Sequence, residues 1–356
     1  FSKARNKKVY IALNLMPDSS LLNQVEQTLW QIRNQACFPD AFIVSDPGVI
    51  MLCKEITPNV ALHLSTQTGT FNHRALSFWK EQGISRAVLP RELSVAQITE
   101  LTSKKIMETE IFVHGAMCVS ISGRCLMGAY IGSRHPNFGD CSQPCRLKYK
   151  VAPIGSGEED YGEWLQAEET ERGLHLFNSR DLCCISILPK LIAAGVHSLK
   201  IEGRNKSIHY VASVVKTYRA ALDAYIKNPE NYTVSRAWID ELDSVEHRPY
   251  TTGFYENEMM LQEVYSSKAA STHRAIGTVK GVLEGGIPVI DIKNSFSADD
   301  ELEVLPVQQS LSSYMIKFSH LTDLSGNYLK RAPSNRLVLG HGGVKLRSGD
   351  MLRMKL

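Results

Sequence analysis

The sequence predicts an α/β protein: a TIM-type β/α barrel whose N-terminal strands are missing, followed by a small C-terminal β-barrel domain. Three observations carry this expectation. Short apolar strands alternate with amphipathic helices through the first two-thirds of the chain, at a repeat of roughly 25 residues, which is the rhythm of parallel β/α units. No Gly-rich phosphate loop follows the first strand, as it usually does in a doubly wound nucleotide-binding sheet. From about Ser271 the pattern changes to short strands separated by turns.

Taken in order, Val9–Leu15, Ala41–Ser45, Val60–Ser65, Arg86–Leu89, Glu110–His114 and Ser198–Glu202 read as strands, with helices between them. Ser19–Ala36 places Leu21, Leu22, Val25, Leu29 and Ile32 at helical spacing. Asn72–Gln82 stops at Gly83, a C-cap residue, and Ser94–Ser103 begins on a serine suited to an N-cap. Lys206–Lys227 is a long helix with Val211, Val214, Val215, Tyr218, Ala221, Leu222 and Tyr225 on one face. These six strands fall short of the eight in a TIM barrel. The chain opens on Phe1 rather than Met and runs from Lys3, Arg5, Lys7 and Lys8 straight into a strand, so an upstream βαβ piece is expected to supply the rest. Val151–Gly173, rich in glycine and acid, reads as an exposed excursion. The expected divisions are a partial barrel over 1–228, a helical linker region over 229–270 and the β domain over 271–356. Within the last, NSFSADDELEVL reads as a strand pair joined by a tight turn.

Composition narrows the function classes. With 40 Lys+Arg against 37 Asp+Glu in 356 residues, and 43% hydrophobic content, disorder and collagen-like structure are excluded. No apolar run approaches the ~20 residues a bilayer requires, so no membrane association is expected. No signal-peptide pattern precedes the first strand, and a cytoplasmic location is expected. The net charge of +3 conceals local imbalance. Lys330–Leu356 carries seven Lys/Arg and one acid, Asp350, and a second basic group, Arg146, Lys148 and Lys150, surrounds Tyr149. Such patches suit phosphate tracking and base stacking, although an ordinary solvated face has the same composition.

The eight cysteines are unevenly spread, with four inside Cys118–Cys145 at the spacing C-x6-C-x15-C-x3-C. Zinc ribbons prefer paired C-x2-4-C knuckles, which only Cys141 and Cys145 approximate. Four thiolates suit a 4Fe–4S cluster, and Gly115, Gly123, Gly128, Gly132 and Gly139 would let backbone wrap closely around it. Buried thiols or a redox pair are the alternatives. Cys183 and Cys184 in NSRDLCC are placed at the start of a helix, with Cys183 a reserve ligand, while Cys37 and Cys53 read as packing residues.

Polar residues follow every strand: Asn14, Asp46, Ser65 and Gln67, Arg91 and Glu92, His114, then Lys200, Glu202 and Arg204. In β/α barrels the site lies at these carboxyl ends. Arg91, Lys200 and Arg204 could hold a carboxylate, and His114 and Glu202 could move protons, unless each is only a cap or a structural ion pair. Neither G-x-S-x-G nor H-E-x-x-H occurs.

The run EIFVHGAMCVSISGRC resembles the signature of the peptidase U32 family. The resemblance continues through SDPGVIML, LHLSTQ, the Arg-Glu-Leu after AVLP, HPNFGDCSQPCR, LKIEGRNKS and HRPYTTGFY, and spans the chain including its C-terminal domain. Within the family the chain is most similar to the tRNA hydroxylation proteins. That resemblance implies conversion of wobble uridine in tRNA to 5-hydroxyuridine. It also implies a 4Fe–4S cluster on Cys118, Cys125, Cys141 and Cys145, and prephenate, a small carboxylate, as co-substrate and hydroxyl source. The catalytic set is then His114, Lys200 and Glu202, with Arg91, Arg204, Gln67 and Asn14 binding substrate. A collagenase-like peptidase, or an iron–sulfur subunit of an oxygen-independent hydroxylase with a partner protein, are the other activities the family suggests. The chain departs from the family pattern in lacking N-terminal strands that usually carry a Pro-Ala-Gly turn.

Overall fold

A computed structural model describes residues 2–35, 38–118, 120–121, 124–125, 127, 141, 143–146, 169–170, 173–174, 179–256, 270–308 and 312–356. Cys37, most of the acidic excursion, the side chain of Arg146, Lys148 to Lys150, and Gly123, Gly128, Gly132 and Gly139 lie outside the described residues. The chain divides into two compact units, Phe1–Glu202 with Arg248–Lys268, and Gly203–His247 with Ala269–Leu356. Among the described residues no helix is long and apolar enough to cross a membrane.

In the first unit the apolar runs form β1 (Tyr10–Leu13), β2 (Ala41–Val44), β3 (Ala61–Leu64), β4 (Ile84–Val88), β5 (Glu108–Ala116), β6 (Asp181–Cys183), β7 (Ser198–Ile201) and β8 (Tyr250–Thr251). β1 to β5 and β7 are parallel neighbours in that order, and they are the six strands read from the sequence. Phe42, Val44, Leu62, Leu64, Ala87, Val88, Ile111 and Val113 are buried, as expected of parallel strands covered on both faces. The helices α1 (Ser19–Arg33), α2 (Pro47–Ile56), α3 (His73–Glu81) and α4 (Val95–Ser103) start where polar caps dictate. Asp18, Asp46, Asn72 and Ser94 each accept from a backbone N–H of the first turn, and Ser94 with Gln97 forms a full capping box. Gly83 follows α3 with φ +80°, a left-handed conformation that glycine adopts without strain. A short helix, α5 (Leu188–Ala193), precedes β7.

Among the described residues the hydrogen-bonded order of the parallel strands runs from β1 to β7 and does not return, so the sheet is open, as a barrel lacking strands would be, and the TIM-type closure is not confirmed. One expectation is corrected in this unit. Cys183 does not begin a helix. It ends β6, which pairs antiparallel with the far end of β5 through Gly115 and Leu182, while β8 pairs with β6 in parallel. The buried run from Asp181 to Ile185 spends its backbone bonds on β5, with the Cys184 N–H donating to the Val113 carbonyl at 2.9 Å, before α5 starts.

In the second unit, α6 (Ile208–Lys227) is capped by Ser207, whose hydroxyl accepts from the Tyr210 N–H at 3.1 Å, and α7 (Arg236–Asp243) follows. Eight antiparallel strands come next: β9 (His273–Val282), β10 (Pro288–Ile292), β11 (Leu302–Leu305), β12 (Tyr314–Ile316), β13 (His320–Thr322), β14 (Tyr328–Leu329), β15 (Leu337–His341) and β16 (Met351–Lys355). Their spatial order is β12-β11-β16-β9-β10-β15-β13-β14, so among the described residues the small β-barrel expected is seen as an antiparallel sheet with two ends. Ile276, Ile290, Ile292, Phe296, Leu302, Val304, Phe318, Leu321 and Val338 form its core. Phe318 lies against Gly340 so closely that a Cβ there would sit 2.4 Å from the ring. NSFSADDELEVL is not a hairpin: Phe296–Ser297 pairs with Arg331–Ala332, and β11 pairs with β12 and β16. The reason is local, because the Asp300 carboxylate accepts from the Ser297 N–H at 2.8 Å and turns the chain out of its first strand.

Arg353 ties this unit together. Its buried guanidinium donates to both oxygens of Glu241 at 2.9 and 2.8 Å, both oxygens of Glu303 at 2.9 and 3.1 Å, and the Ser244 hydroxyl at 2.9 Å. The fork geometry matches two carboxylates at once and links α7 to the sheet.

Candidate active site at the carboxyl ends of the parallel strands

Alternation along β5 places Glu110 and Phe112 on one face, and the register against β7 shifts between Phe112 and His114. Two charged groups meet at the Phe112 ring. On the side nearer the strand starts, Glu110 is buried and holds three partners: Lys200 Nζ at 3.2 Å, the Ser198 hydroxyl at 2.8 Å and Arg86 at 3.5 Å. Burial alone would raise the Glu110 pKa, but Lys200, Ser198 and Arg86 outweigh it and hold the carboxyl below its ordinary value. Arg86 also donates to Glu108 at 2.6 and 2.9 Å. His63, buried beside them with its ring 4.7 Å from Tyr10, is pushed down to about 4 by burial and then by the Arg86 charge, so it is neutral at pH 7. Lys200 is thus an ion-pair partner whose ammonium also lies 5.3 Å from the Phe112 ring.

Beyond the ring lies Arg91, its guanidinium carbon 3.7 Å from the Phe112 centroid. Burial pulls the Arg91 pKa down, while Glu202, Tyr255, Cys118 and Glu92 act against that shift. Arg91 is therefore within electrostatic reach of a sequence-expected carboxylate and a sequence-expected thiol. Burial raises the Cys118 pKa; the Ser120 N–H, donating to its sulfur at 3.4 Å, and Arg91 lower it, while Cys125 and Cys141 raise it further. Three of the four clustered cysteines and Arg91 thus share one electrostatic neighbourhood.

Gly115 fixes where this neighbourhood sits. Its φ is +118°, and a Cβ there would lie 2.5 Å from the Glu202 carbonyl oxygen and 2.8 Å from the Glu202 Cβ. Only glycine allows that approach. The Glu202 N–H donates to the His114 carbonyl at 2.9 Å, which completes the alignment. Tyr255, from the segment that returns to this unit, donates its hydroxyl to the Phe112 carbonyl at 2.6 Å, and burial keeps its pKa well above the ordinary phenol value.

The remaining expected residues are distributed more widely. His114 is buried with its ring 5.4 Å from Tyr250. The Asn14 amide donates to the Ser65 hydroxyl at 3.3 Å, and Ser65 in turn caps the turn at Thr66–Thr68. The Gln67 carbonyl accepts from the Arg124 side chain at 2.5 Å, next to Cys125, and the Gln67 Oε1 is buried without a hydrogen-bond partner among the described residues. Cys145 is half-buried in the turn Pro144–Arg146. Arg204 is exposed and belongs to the second unit. Asp46 is a helix cap, as its alternative reading allowed. Cys53 is a core thiol that burial pushes up to about 12. Sequence reasoning did not single out Phe112, Glu110 or Tyr255. Phe112 and Glu110 were detectable as the alternate residues before His114; Tyr255 was not, because its partner is 143 positions away.

Among the described residues no three His, Cys, Asp or Glu side chains are arranged as metal ligands. The run does supply four half-buried cysteines, of which Cys118 feels both Cys125 and Cys141, and four thiolates are the donor set a 4Fe–4S cluster takes. In kind, these residues fit such a group.

A family model for peptidase family U32 matches residues 1–263, and the chain belongs to that family. It is 35% identical over 337 residues to tRNA hydroxylation protein P1 of Bacillus subtilis, covering 93% of this chain and 77% of that one. It is 32% identical over 372 residues to tRNA hydroxylation protein P of Escherichia coli, covering 93% and 80%. It is also 34% identical over 227 residues to the 23S rRNA 5-hydroxycytidine C2501 synthase of Escherichia coli, covering 64% of this chain and 32% of that protein.

Proposed function

We propose that this chain is an RNA-hydroxylating enzyme that converts the wobble uridine of tRNA to 5-hydroxyuridine. The named relatives support the reaction class, since their names join tRNA hydroxylation with hydroxylation of an rRNA cytidine. The observation on this chain that carries the reading is the convergence of Arg91, Glu202 and Cys118.

Replacing C5–H by C5–OH is a two-electron oxidation of the base, so the hydroxyl donor must be the species reduced. Prephenate is that donor in our reading: its C–OH bond breaks as the C5–O bond forms, the electron pair of the broken bond stays with the donor skeleton, and the C5 proton leaves to a base. Arg91, held over the Phe112 ring, grips a carboxylate of the donor through two parallel N–H bonds. Arg86, Glu110 and Lys200 form a closed ion network below the ring, so they keep Phe112 and its backbone in register and do not compete for the carboxylate. Glu202 and His114, aligned by the contact at Gly115, hold or accept the proton displaced from C5. Cys118, Cys125, Cys141 and Cys145 would hold a 4Fe–4S cluster, which when bound supplies one-electron and Lewis-acid chemistry.

Nucleoside mass spectrometry of tRNA from a strain lacking this chain, and any paralogue, tests the reading. Loss of 5-hydroxyuridine derivatives, restored by the wild-type gene and not by Cys118→Ala, is the expected result. Unchanged levels would refute the assignment.

A further inference from the structure

The outer face of the second unit's sheet carries an aromatic platform with no part in the site described above. Register places His320 opposite His341, and Thr322 opposite Tyr328 on its other side. Directly opposed residues share a face, so these side chains stand together, while Leu321, Leu329 and Val338 point into the core. His320 and His341 are stacked in parallel, with ring centroids 4.3 Å apart and 3° between their planes. Both planes are fixed: His320 Nδ1 bonds to the Ser319 hydroxyl at 3.0 Å and His341 Nε2 to the Thr322 hydroxyl at 3.0 Å. Tyr328 is 69% exposed, among the highest values for any large side chain here.

Lys330, two residues beyond Tyr328, is exposed, and no ion pair joins it to an acid among the described residues. Asp323, next to Thr322, keeps its negative charge while accepting from the Ser325 and Asn327 N–H groups and the Asn327 amide at 2.9 Å each. Further along the same face Asp291 is paired with Lys280 at 3.1 Å. Parallel rings and an exposed tyrosine beside an unpaired lysine complement a strand of stacked bases and phosphates better than they complement a folded protein surface.

We propose that His320, His341 and Tyr328 form a base-stacking platform for unpaired nucleotides of RNA, with Lys330 on a phosphate. The inference rests on the RNA reading above and adds a holding surface remote in sequence from the cysteine run. The ring pair acts as a preformed stack that an incoming base extends, and the binding it gives tolerates changes of sequence because every base has a π face.

The test measures fluorescence anisotropy of a short fluorescein-labelled oligouridine against the full chain. The wild type is expected to bind. Tyr328→Ala and the double variant His320→Ala/His341→Ala should each weaken binding roughly tenfold, and Tyr328→Phe should retain it, because stacking uses the ring and not the hydroxyl. Lys330→Ala should lower the slope of log affinity against log salt by about one. His320, Tyr328 and Lys330 are exposed and His341 is half-buried, and an unchanged thermal midpoint confirms that the variants fold. If the wild type fails to bind, or if Tyr328→Ala and the double histidine variant bind within about twofold of wild type, the platform is overturned. The latter result also fits a face that serves protein. Failure of the RNA reading itself is recognised separately, by unchanged 5-hydroxyuridine in the nucleoside analysis.

Discussion

The Arg91 guanidinium lies 3.7 Å from the centre of the Phe112 ring, close enough for the flat cation and the ring face to be in contact. The ring removes one face of the guanidinium from water and leaves its in-plane N–H fork for a ligand. Arg91→Lys keeps the charge and loses both the stack and the fork. The Michaelis constant for the carboxylate donor should rise roughly tenfold, and about a hundredfold for Arg91→Ala, with kcat changed less. Steady-state hydroxylation with titrated prephenate reads the split. Equal loss in kcat and kcat/KM would assign Arg91 to the chemical step instead.

Gly115→Ala should be among the most damaging small substitutions in the first unit. The new methyl would fall 2.5 Å from the Glu202 carbonyl oxygen, on a backbone whose φ is +118°. A cost of about 2 kcal/mol or more is expected, seen as a lower denaturation midpoint. Activity should fall further than stability alone explains, because Glu202 must move.

Arg353 gives a contrasting case in the second unit. Arg353→Met would leave the carboxylates of Glu241 and Glu303 facing each other with their shared cation removed. Removing one partner of a buried ion pair costs roughly 3–5 kcal/mol, and urea unfolding should show it. Glu241→Gln should cost less, since Glu303 still holds the guanidinium.

Acid should weaken the second unit through His209. This side chain is buried, its Nε2 has no hydrogen-bond partner among the described residues, and the charges of Arg353, Glu241, His273 and Glu303 act on it. Burial, then the Arg353 charge, pushes its pKa from 6.5 down to about 4. Between those values the unfolded chain binds a proton that the folded chain refuses. Stability from this group is fully present above about pH 6.5 and is lost as pH falls toward 4, by about 3 kcal/mol in all. Urea midpoints measured across this range should flatten in His209→Gln. An unchanged slope would mean another group carries the titration.

Purification without oxygen addresses the cysteines. A brown protein with iron and sulfide near four each per chain is expected, with both lost in Cys118→Ala and Cys141→Ala. A colourless, iron-free anaerobic preparation would count against the cluster.

Much of this molecule could be read from its residues. The six parallel strands are apolar runs bounded by caps and turns, so their pattern is local, and Asp18, Asn72 and Ser94 start their helices as such residues should. Cys183 was misplaced because a fully buried five-residue run has no helical or strand period of its own; pairing with β5 decides it. The segment before β11 failed for a similar reason, since Phe296–Ser297 finds its partner at Arg331–Ala332, more than thirty residues away. In the candidate site, Arg91 and Glu202 were legible as polar residues after strands, and Cys118 from the spacing of the clustered cysteines. That Lys200 would be tied to Glu110, or that Tyr255 would bond the Phe112 carbonyl, depends on contacts across the fold that no local pattern records.

The bare α-carbon of Gly115 has a mechanical consequence. With no side chain between them, β5 and the end of β7 touch backbone to backbone, and Cys118 follows only three positions later. The loop that carries the first thiol is therefore indexed to the strand that carries the carboxylate. A shift of either one is transmitted to the other, with no compliant side chain to absorb it.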